Sequence, residues 1–158
     1  MSNVLIGIIG VILFIGLALA GALFLGPRFQ EATVNSKASA QMAGLKQVAD
    51  AVNMYRIQEG RDDLPQNSGA VQTSLVSARY MKAPFVDASG KGVEIWYSTT
   101  AGNRRHILLG QQDQNLCTAV NRQYGVNTTP TGSDLADITG TAGCIDFGAG
   151  NRILFIAV

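Results

Sequence analysis

The sequence has little charge, few cysteines and a single histidine. Charged residues make up 15% of the 158-residue chain, against about 25% in typical soluble domains. The deficit lies at the beginning, because no charged side chain precedes Arg28. The length excludes a multidomain enzyme. The net charge of +1 gives no reason to expect a strong nucleic-acid or acidic-surface partner.

The residue types that usually carry catalysis are sparse and poorly spaced. His106 is the only histidine, and no neighbouring spacing indicates a triad or a metal site. The pairs Asp62-Asp63 and Asp134/Asp137 lack the EF-hand pattern. Gly148-Ala149-Gly150 lacks the following helix and lysine of a phosphate loop, so it predicts a hairpin turn. We therefore expect no enzyme, no metal site and no cofactor.

The run Val4–Leu25 contains only Val, Leu, Ile, Phe, Ala and Gly side chains. As a helix it would be about 33 Å long, which matches a bilayer core of about 30 Å. A buried helix of a soluble domain rarely lacks a polar face over such a length. The run therefore predicts a segment compatible with a membrane.

This apolar run has two simpler interpretations. Ala18-Leu19-Ala20 resembles a signal-peptide cleavage site, but Met1-Ser2-Asn3 has no basic residue and the apolar run continues past the supposed cut. A single-span anchor that holds a domain outside the membrane is also compatible with the pattern, since periodicity alone does not exclude it.

An amphipathic pattern follows Pro27 and predicts a helix from about Phe29 to Gln58, ending at Gly60. Its apolar residues recur at steps of three and four: Val34, Ala38, Met42, Leu45, Val48, Val52 and Tyr55. Such a stripe is ordinary core packing and requires a sheet to cover it. The expected division is therefore an apolar segment, residues 1–27, and a domain, residues 28–158.

The second half of the chain supplies the sheet. A helical turn is predicted within Val71–Tyr80, and a helix within Asp113–Tyr124 with Leu116, Cys117, Val120 and Tyr124 inward. The strands form two hairpins: Val93–Tyr97 with Arg104–Leu109, and Cys144–Phe147 with Arg152–Val158. The last strand is apolar throughout Ile153–Val158, so it is expected at the centre of the sheet and buried on both faces. A long helix followed by a sheet predicts an α+β fold.

Cys117 and Cys144 are too few for a disulfide scaffold and lack the C-x-x-C spacing of a zinc or redox site. The even count, and an anchor that places the domain outside the cytoplasm, favour a disulfide between them. A disulfide that closes the segment from Cys117 to Cys144 stabilises the fold by about 3.5 kcal/mol in the chain-entropy model. Two unrelated buried thiols are the alternative.

In this arrangement the chain resembles the type IV pilin family, in particular its type IVb branch. The resemblance rests on the charge-free half-helix Val4–Leu25, its amphipathic extension and the late cysteine pair. The segment from Gln114 to Val120 is similar to the short cysteine-bearing helix of type IVb pilins. The resemblance implies that Met1 is a mature N-terminus, exposed when prepilin peptidase removed a leader that carried the basic residues.

The resemblance also implies a mechanism. The subunit waits in the inner membrane with its domain in the periplasm, and pilus assembly machinery then moves it into a homo-oligomeric helical filament on the cell surface. Nucleic acid is not expected as a direct ligand. The apolar half-helices would pack in the filament core through Val4, Leu5, Ile8, Ile9, Ile12, Leu13, Phe14, Leu17, Leu23 and Phe24.

The chain departs from the family at its fifth position. Most pilins carry a glutamate there, whereas this chain has Leu5 and no acid before Glu31. Burying an acid in an apolar bundle costs several kcal/mol unless it is well paired. Either Met1 is not the mature N-terminus, or the subunit assembles without this charge pair. In the second case it would be an atypical, minor or conjugative thin-pilus pilin. Packing would then hold the filament, with registration from Ser2, Asn3 and the free amine.

Helical order is weakest towards the end of the apolar run. Glycine costs about 1 kcal/mol relative to alanine inside a helix, and proline interrupts the hydrogen-bond ladder. We therefore predict a melted or bent segment between Gly16 and Pro27 that includes Gly21 and Gly26.

Two other functions share parts of this pattern. A type II secretion pseudopilin has the same plan, but those proteins usually lack the late cysteine-bearing helix. A membrane-anchored periplasmic binding or adapter domain would stay monomeric after detergent extraction. Adhesion, conjugation, motility and DNA uptake depend on surface loops, and the segment Val126–Gly143 is the one expected to carry that specificity.

Overall fold

A computed structural model of the chain describes residues 2–66, 69–86, 94–100 and 104–158. These residues form three α-helices, a short 3-10 helix at Leu135–Asp137 and four β-strands. The helices are α1 (Ser2–Glu59), α2 (Val71–Ser77) and α3 (Gln114–Gln123). The strands are β1 (Ile95–Thr100), β2 (Arg104–Leu109), β3 (Ala142–Asp146) and β4 (Arg152–Ala157). The α+β fold expected from the sequence is confirmed.

The chain divides into two compact units, Met1–Val34 and Asn35–Val158. The first consists of the apolar part of α1 and the helical turns of α1 that follow it. The second contains the rest of α1, the other helices and the sheet. The boundary lies seven residues after the one expected at 27/28, because the residues that α1 buries in the domain begin only at Ala38.

Within the second unit, α1 buries the predicted apolar stripe. Leu45, Val48 and Val52 have no exposed surface. Full burial of such an apolar side chain stabilises the fold by about 1.5–3 kcal/mol. The helix ends where the sequence predicts, because Gly60 adopts a positive φ of 63° and its N–H donates to the carbonyl of Arg56 at 3.0 Å.

The four strands form one antiparallel sheet in the order β1-β2-β4-β3. The last strand, β4, therefore lies between β2 and β3, as its continuous apolar sequence predicts. Strands β3 and β4 meet in a tight turn in which Phe147 N–H donates to Asn151 O at 2.9 Å. Gly148, Ala149 and Gly150 all have positive φ there, so the Gly-Ala-Gly segment is a hairpin turn.

The two faces of the sheet are covered by different elements. On one face Leu108, Ile145, Ile153 and Phe155 cluster with Ile138 of the 126–143 segment. The alternate residues, which include Tyr97, Ile107 and Leu154, face the opposite way and are also buried. The loop after α1 reaches this opposite face, where the Tyr97 hydroxyl donates to Asp62 at 2.8 Å.

The disulfide expected between Cys117 and Cys144 is present, and it joins α3 to β3 with the Cα atoms 5.3 Å apart. Asp113 caps α3 as predicted, since its carboxylate accepts the Leu116 N–H at 2.8 Å. Gly125 follows the helix with a φ of 76°, which is the expected glycine stop.

Two local expectations differ from the structure. Tyr124 is expected to face inward from α3, but 45% of its surface is exposed, because α3 ends at Gln123 and Tyr124 has left the helix. The first strand is expected to end at Tyr97, whereas β1 continues to Thr100. Val93, the expected first residue of this strand, lies outside the described residues.

Helix α1 passes very close to the ring of Phe85 at Gly44, where a Cβ atom would overlap that ring. We predict that Gly44→Ala lowers the free energy of unfolding by about 1 kcal/mol or more, since overpacking costs more than alanine gains in helix propensity. Chemical denaturation measures this change in the free energy of unfolding. In a Phe85→Ala background the same substitution should be neutral or stabilising. A loss of equal size in both backgrounds would contradict the overlap as its cause.

Candidate membrane and assembly segment

The most unusual feature of the described surface is the apolar part of α1. Its large apolar side chains between Val4 and Leu23 are between 51% and 76% exposed. They include nine of the ten residues expected in a filament core: Val4, Leu5, Ile8, Ile9, Ile12, Leu13, Phe14, Leu17 and Leu23. The side chain of the tenth, Phe24, and the whole of Met1 lie outside the described residues.

This exposure surrounds the helix, since the exposed residues occupy consecutive positions rather than one stripe. Isolated exposed apolar residues are ordinary, but contiguous apolar surface marks a partner or a membrane. The described part of the chain contains one helix that is long and apolar enough to cross a membrane, with a mean hydropathy of 2.8 in its most apolar window. The length and composition of α1 thus suit a membrane anchor.

The four glycines of the segment leave open space beside the helix. A Cβ atom placed on Gly7, Gly10, Gly16 or Gly21 would meet nothing within 4 Å. Small residues at such positions allow another helix to approach closely. The segment therefore offers close-approach positions that the chain itself does not occupy.

The segment predicted to lose helical order is helical in the single chain. The structure assigns α-helix throughout the segment from Gly16 to Pro27, including Gly21 and Gly26. The expectation of a melted turn is corrected for the single chain, because the glycines cost helical stability without preventing the helical conformation. A bend in an assembled form stays a prediction.

The charged residues near the end of α1 fix the following loop. Asp62 accepts a hydrogen bond from the Tyr97 hydroxyl at 2.8 Å and forms ion pairs with Arg56 and Arg105. Asp63 accepts from the Tyr55 hydroxyl at 2.5 Å, and this bond lowers the pKa of that carboxyl. Asp62 therefore holds the loop after α1 to strands β1 and β2, and Asp63 holds it to α1 itself.

The acids of the segment Val126–Gly143 also form local structure. Asp134 caps the 3-10 helix, and the Asp137 carboxylate accepts the backbone N–H of Ser133 at 2.6 Å and of Asp134 at 3.0 Å. These bonds lower the pKa of Asp137. Among the described residues, no group of three or more His, Cys, Asp or Glu side chains is placed to hold a metal ion.

Three arginines of the sheet make contacts within the chain. Arg152 pairs with Asp146 at 2.8 Å, Arg105 pairs with Asp62, and Arg104 donates to the carbonyl of Thr139 at 2.8 Å. Arg104 and Arg105 are neighbours at the start of β2, and Arg152 begins β4. These contacts favour structural roles for the three side chains.

His106 is fully buried on the sheet face that the 126–143 segment covers. Its Nε2 lies 2.8 Å from the carbonyl of Gly140, and its ring meets Phe155 edge to face. A carbonyl only accepts, so Nε2 carries the proton. Burial lowers the pKa of His106, while the bond to Gly140 opposes that effect in part. The histidine holds the end of the segment against β2.

Compared with family models, with curated proteins and with solved structures, the chain gives no match. Function is therefore inferred from the exposed segment and from the domain that follows it.

The buried histidine gives a prediction about acid stability. Unfolded histidine titrates near pH 6.5, and the folded pKa is lower, so between these values the unfolded chain binds a proton that the folded chain does not. The stability that neutral His106 contributes is therefore present above pH 6.5 and is lost as the pH falls through this interval. Denaturation between pH 7.5 and about 5 should show a smaller acid loss in His106→Gln. An equal loss in both proteins would assign it to carboxylates instead.

Proposed function

We propose that this chain is the structural subunit of a type IVb-like pilus, which polymerises through its apolar N-terminal helix. The observation that carries the proposal is the exposed apolar stretch of α1 ahead of a disulfide-linked α+β domain. Removing each of these side chains from water is worth about 1.5–3 kcal/mol. The segment therefore requires an apolar environment that this chain alone does not supply.

Lipid and other copies of the same helix both provide that environment. A subunit that uses lipid before assembly and identical helices afterwards never exposes the segment to water. The glycines at positions 7, 10, 16 and 21 favour the second state, because their open sides admit a neighbouring helix. Assembly would be driven by packing alone, since Leu5 stands where an acid would pair with a neighbouring amine.

The disulfide supports a domain located outside the cytoplasm, where such bonds persist. Together with the apolar helix it favours a subunit held in the inner membrane with its domain in the periplasm, and later at the cell surface. In this proposal prepilin peptidase releases Met1 as the mature N-terminus and assembly machinery extracts the subunit. Surface segments such as Val126–Gly143 would then meet the target of the pilus.

The first test is electron microscopy of material sheared from intact cells, with mass spectrometry of the N-terminus in the same sample. The proposal expects filaments that contain this chain, beginning at Met1 with a methyl group. Protein retained in inner membranes, with no filaments, would overturn it and favour a secretion pseudopilin or an anchored adapter. A monomeric state after detergent extraction would distinguish the adapter.

A charge in the apolar segment tests the driving force. We predict that Leu13→Arg abolishes filaments, because a charge at the centre of such a helix costs about 2.5–3.5 kcal/mol even where a bilayer adapts around it. The matched control is Ala32→Arg, an exposed position of the same helix beyond the apolar run. Filament yield is counted by microscopy, and membrane fractionation reports anchoring separately. Filaments of normal yield from Leu13→Arg would contradict assembly through this segment.

A further inference from the structure

Asn121 is a buried polar residue that the sequence did not single out. It lies on α3 one turn after Cys117 and is only 2% exposed. Its side-chain Oδ1 accepts the backbone N–H of Cys144 at 2.7 Å, and its Nδ2 donates to the carbonyl of the same residue at 2.9 Å. One amide side chain thus satisfies both backbone groups of a disulfide cysteine.

This pair of bonds substitutes for a neighbouring strand. Strand β3 is at the edge of the sheet, and its backbone groups on the side away from β4 need other partners. Two residues along, the Asp146 N–H donates to Pro130 O at 2.9 Å and the Asp146 carbonyl accepts from Gly132 N–H at 3.0 Å. At residues 144 and 146 the edge of β3 is therefore closed by Asn121 and by the 130–132 segment.

The neighbouring residue leaves space for this contact. A Cβ atom on Gly143 would lie 3.1 Å from Asn121 Oδ1 and 3.3 Å from the ring of Phe155. A larger side chain there would push the amide away from the edge of the strand. The glycine and the asparagine together allow α3 to sit directly on β3.

We infer that Asn121 positions the cysteine pair: its amide docks α3 on β3 before the disulfide forms, and the disulfide then locks an arrangement that already exists. Cys117 and Asn121 are four residues apart and share a face of α3. When Asn121 binds the backbone of Cys144, Cys117 is thereby placed opposite the Cys144 side chain. Neither hydrogen bond of the Asn121 amide involves a sulfur atom, so both can form in the reduced chain.

The covalent step is an ordinary thiol–disulfide exchange with an external disulfide as oxidant. With oxidised glutathione, one cysteine thiolate attacks a glutathione sulfur and releases one glutathione thiolate. The second cysteine thiolate attacks the mixed disulfide, forms the Cys117–Cys144 bond and releases the other glutathione. The two cysteine thiols lose two electrons and two protons, which reduce one glutathione disulfide to two glutathione thiols. The contribution of Asn121 is to raise the effective concentration of the second thiolate.

The test compares two identical chemical changes on the same helix. Asn121→Asp keeps an acceptor for the Cys144 N–H but removes the Nδ2 donor, and Asn115→Asp makes the same change at an exposed position of α3. The full-length chain in detergent micelles is equilibrated with reduced and oxidised glutathione. We expect the effective concentration of the thiol pair to fall about tenfold or more in Asn121→Asp and to stay within about twofold in the control. Equal values in both variants would overturn the inference.

A second measurement is independent of how the Asn121 variant folds. In the double variant Cys117→Ala/Cys144→Ala, with Asn121 intact, hydrogen exchange is followed at the backbone amide of residue 144. If Asn121 docks α3 without the disulfide, this amide stays protected to within about tenfold of its protection in the oxidised chain. Exchange as fast as in an unfolded peptide, while β2 and β4 remain protected, would show that the disulfide itself holds α3 in place.

Discussion

The incompatibility of the apolar part of α1 with water is the constraint on which the rest depends. The run from Val4 to Leu25 has no polar side chain, and its described large apolar residues are more than half exposed. No rearrangement of side chains within the run could hide it, because every face of that helix is apolar. Lipid or a bundle of like helices must cover it, and the proposed filament uses the two in succession.

In the proposed filament, the domain that follows this helix needs a fold closed within itself. In the second unit this closure is achieved by a few directed polar contacts on an ordinary apolar core. Asp62 and Asp63 fix the loop after α1, and His106 fixes the end of the 126–143 segment. Asn121 and the 130–132 segment close the edge of β3. Closed edges would matter in the proposed filament, because open strands would pair in ways that compete with ordered assembly.

The sequence predicted most of the elements because their signals are local. Asp113 before α3, Gly125 after it and Gly60 after α1 each satisfy a helix end through their own neighbours. The continuous apolar sequence of β4 likewise indicates burial on both faces, and the strand lies between two others. Patterning also has limits on the same helix. It predicts an inward Tyr124, but the helix ends before this residue, and it gives no signal for Asn121, which the edge of β3 buries.

The sequence by itself determined the α+β class, the long apolar run and the helix ends, because composition, periodicity and capping act over a few residues. The even cysteine count favoured a bond between Cys117 and Cys144, and the tertiary structure shows it. Only the tertiary structure decided which polar side chains are structural. Asn121 and His106 are buried because distant backbone groups of Cys144 and Gly140 require partners, and such requirements arise only when the strands and segments have come together. A polar residue carries no mark in the sequence of the backbone group it will satisfy.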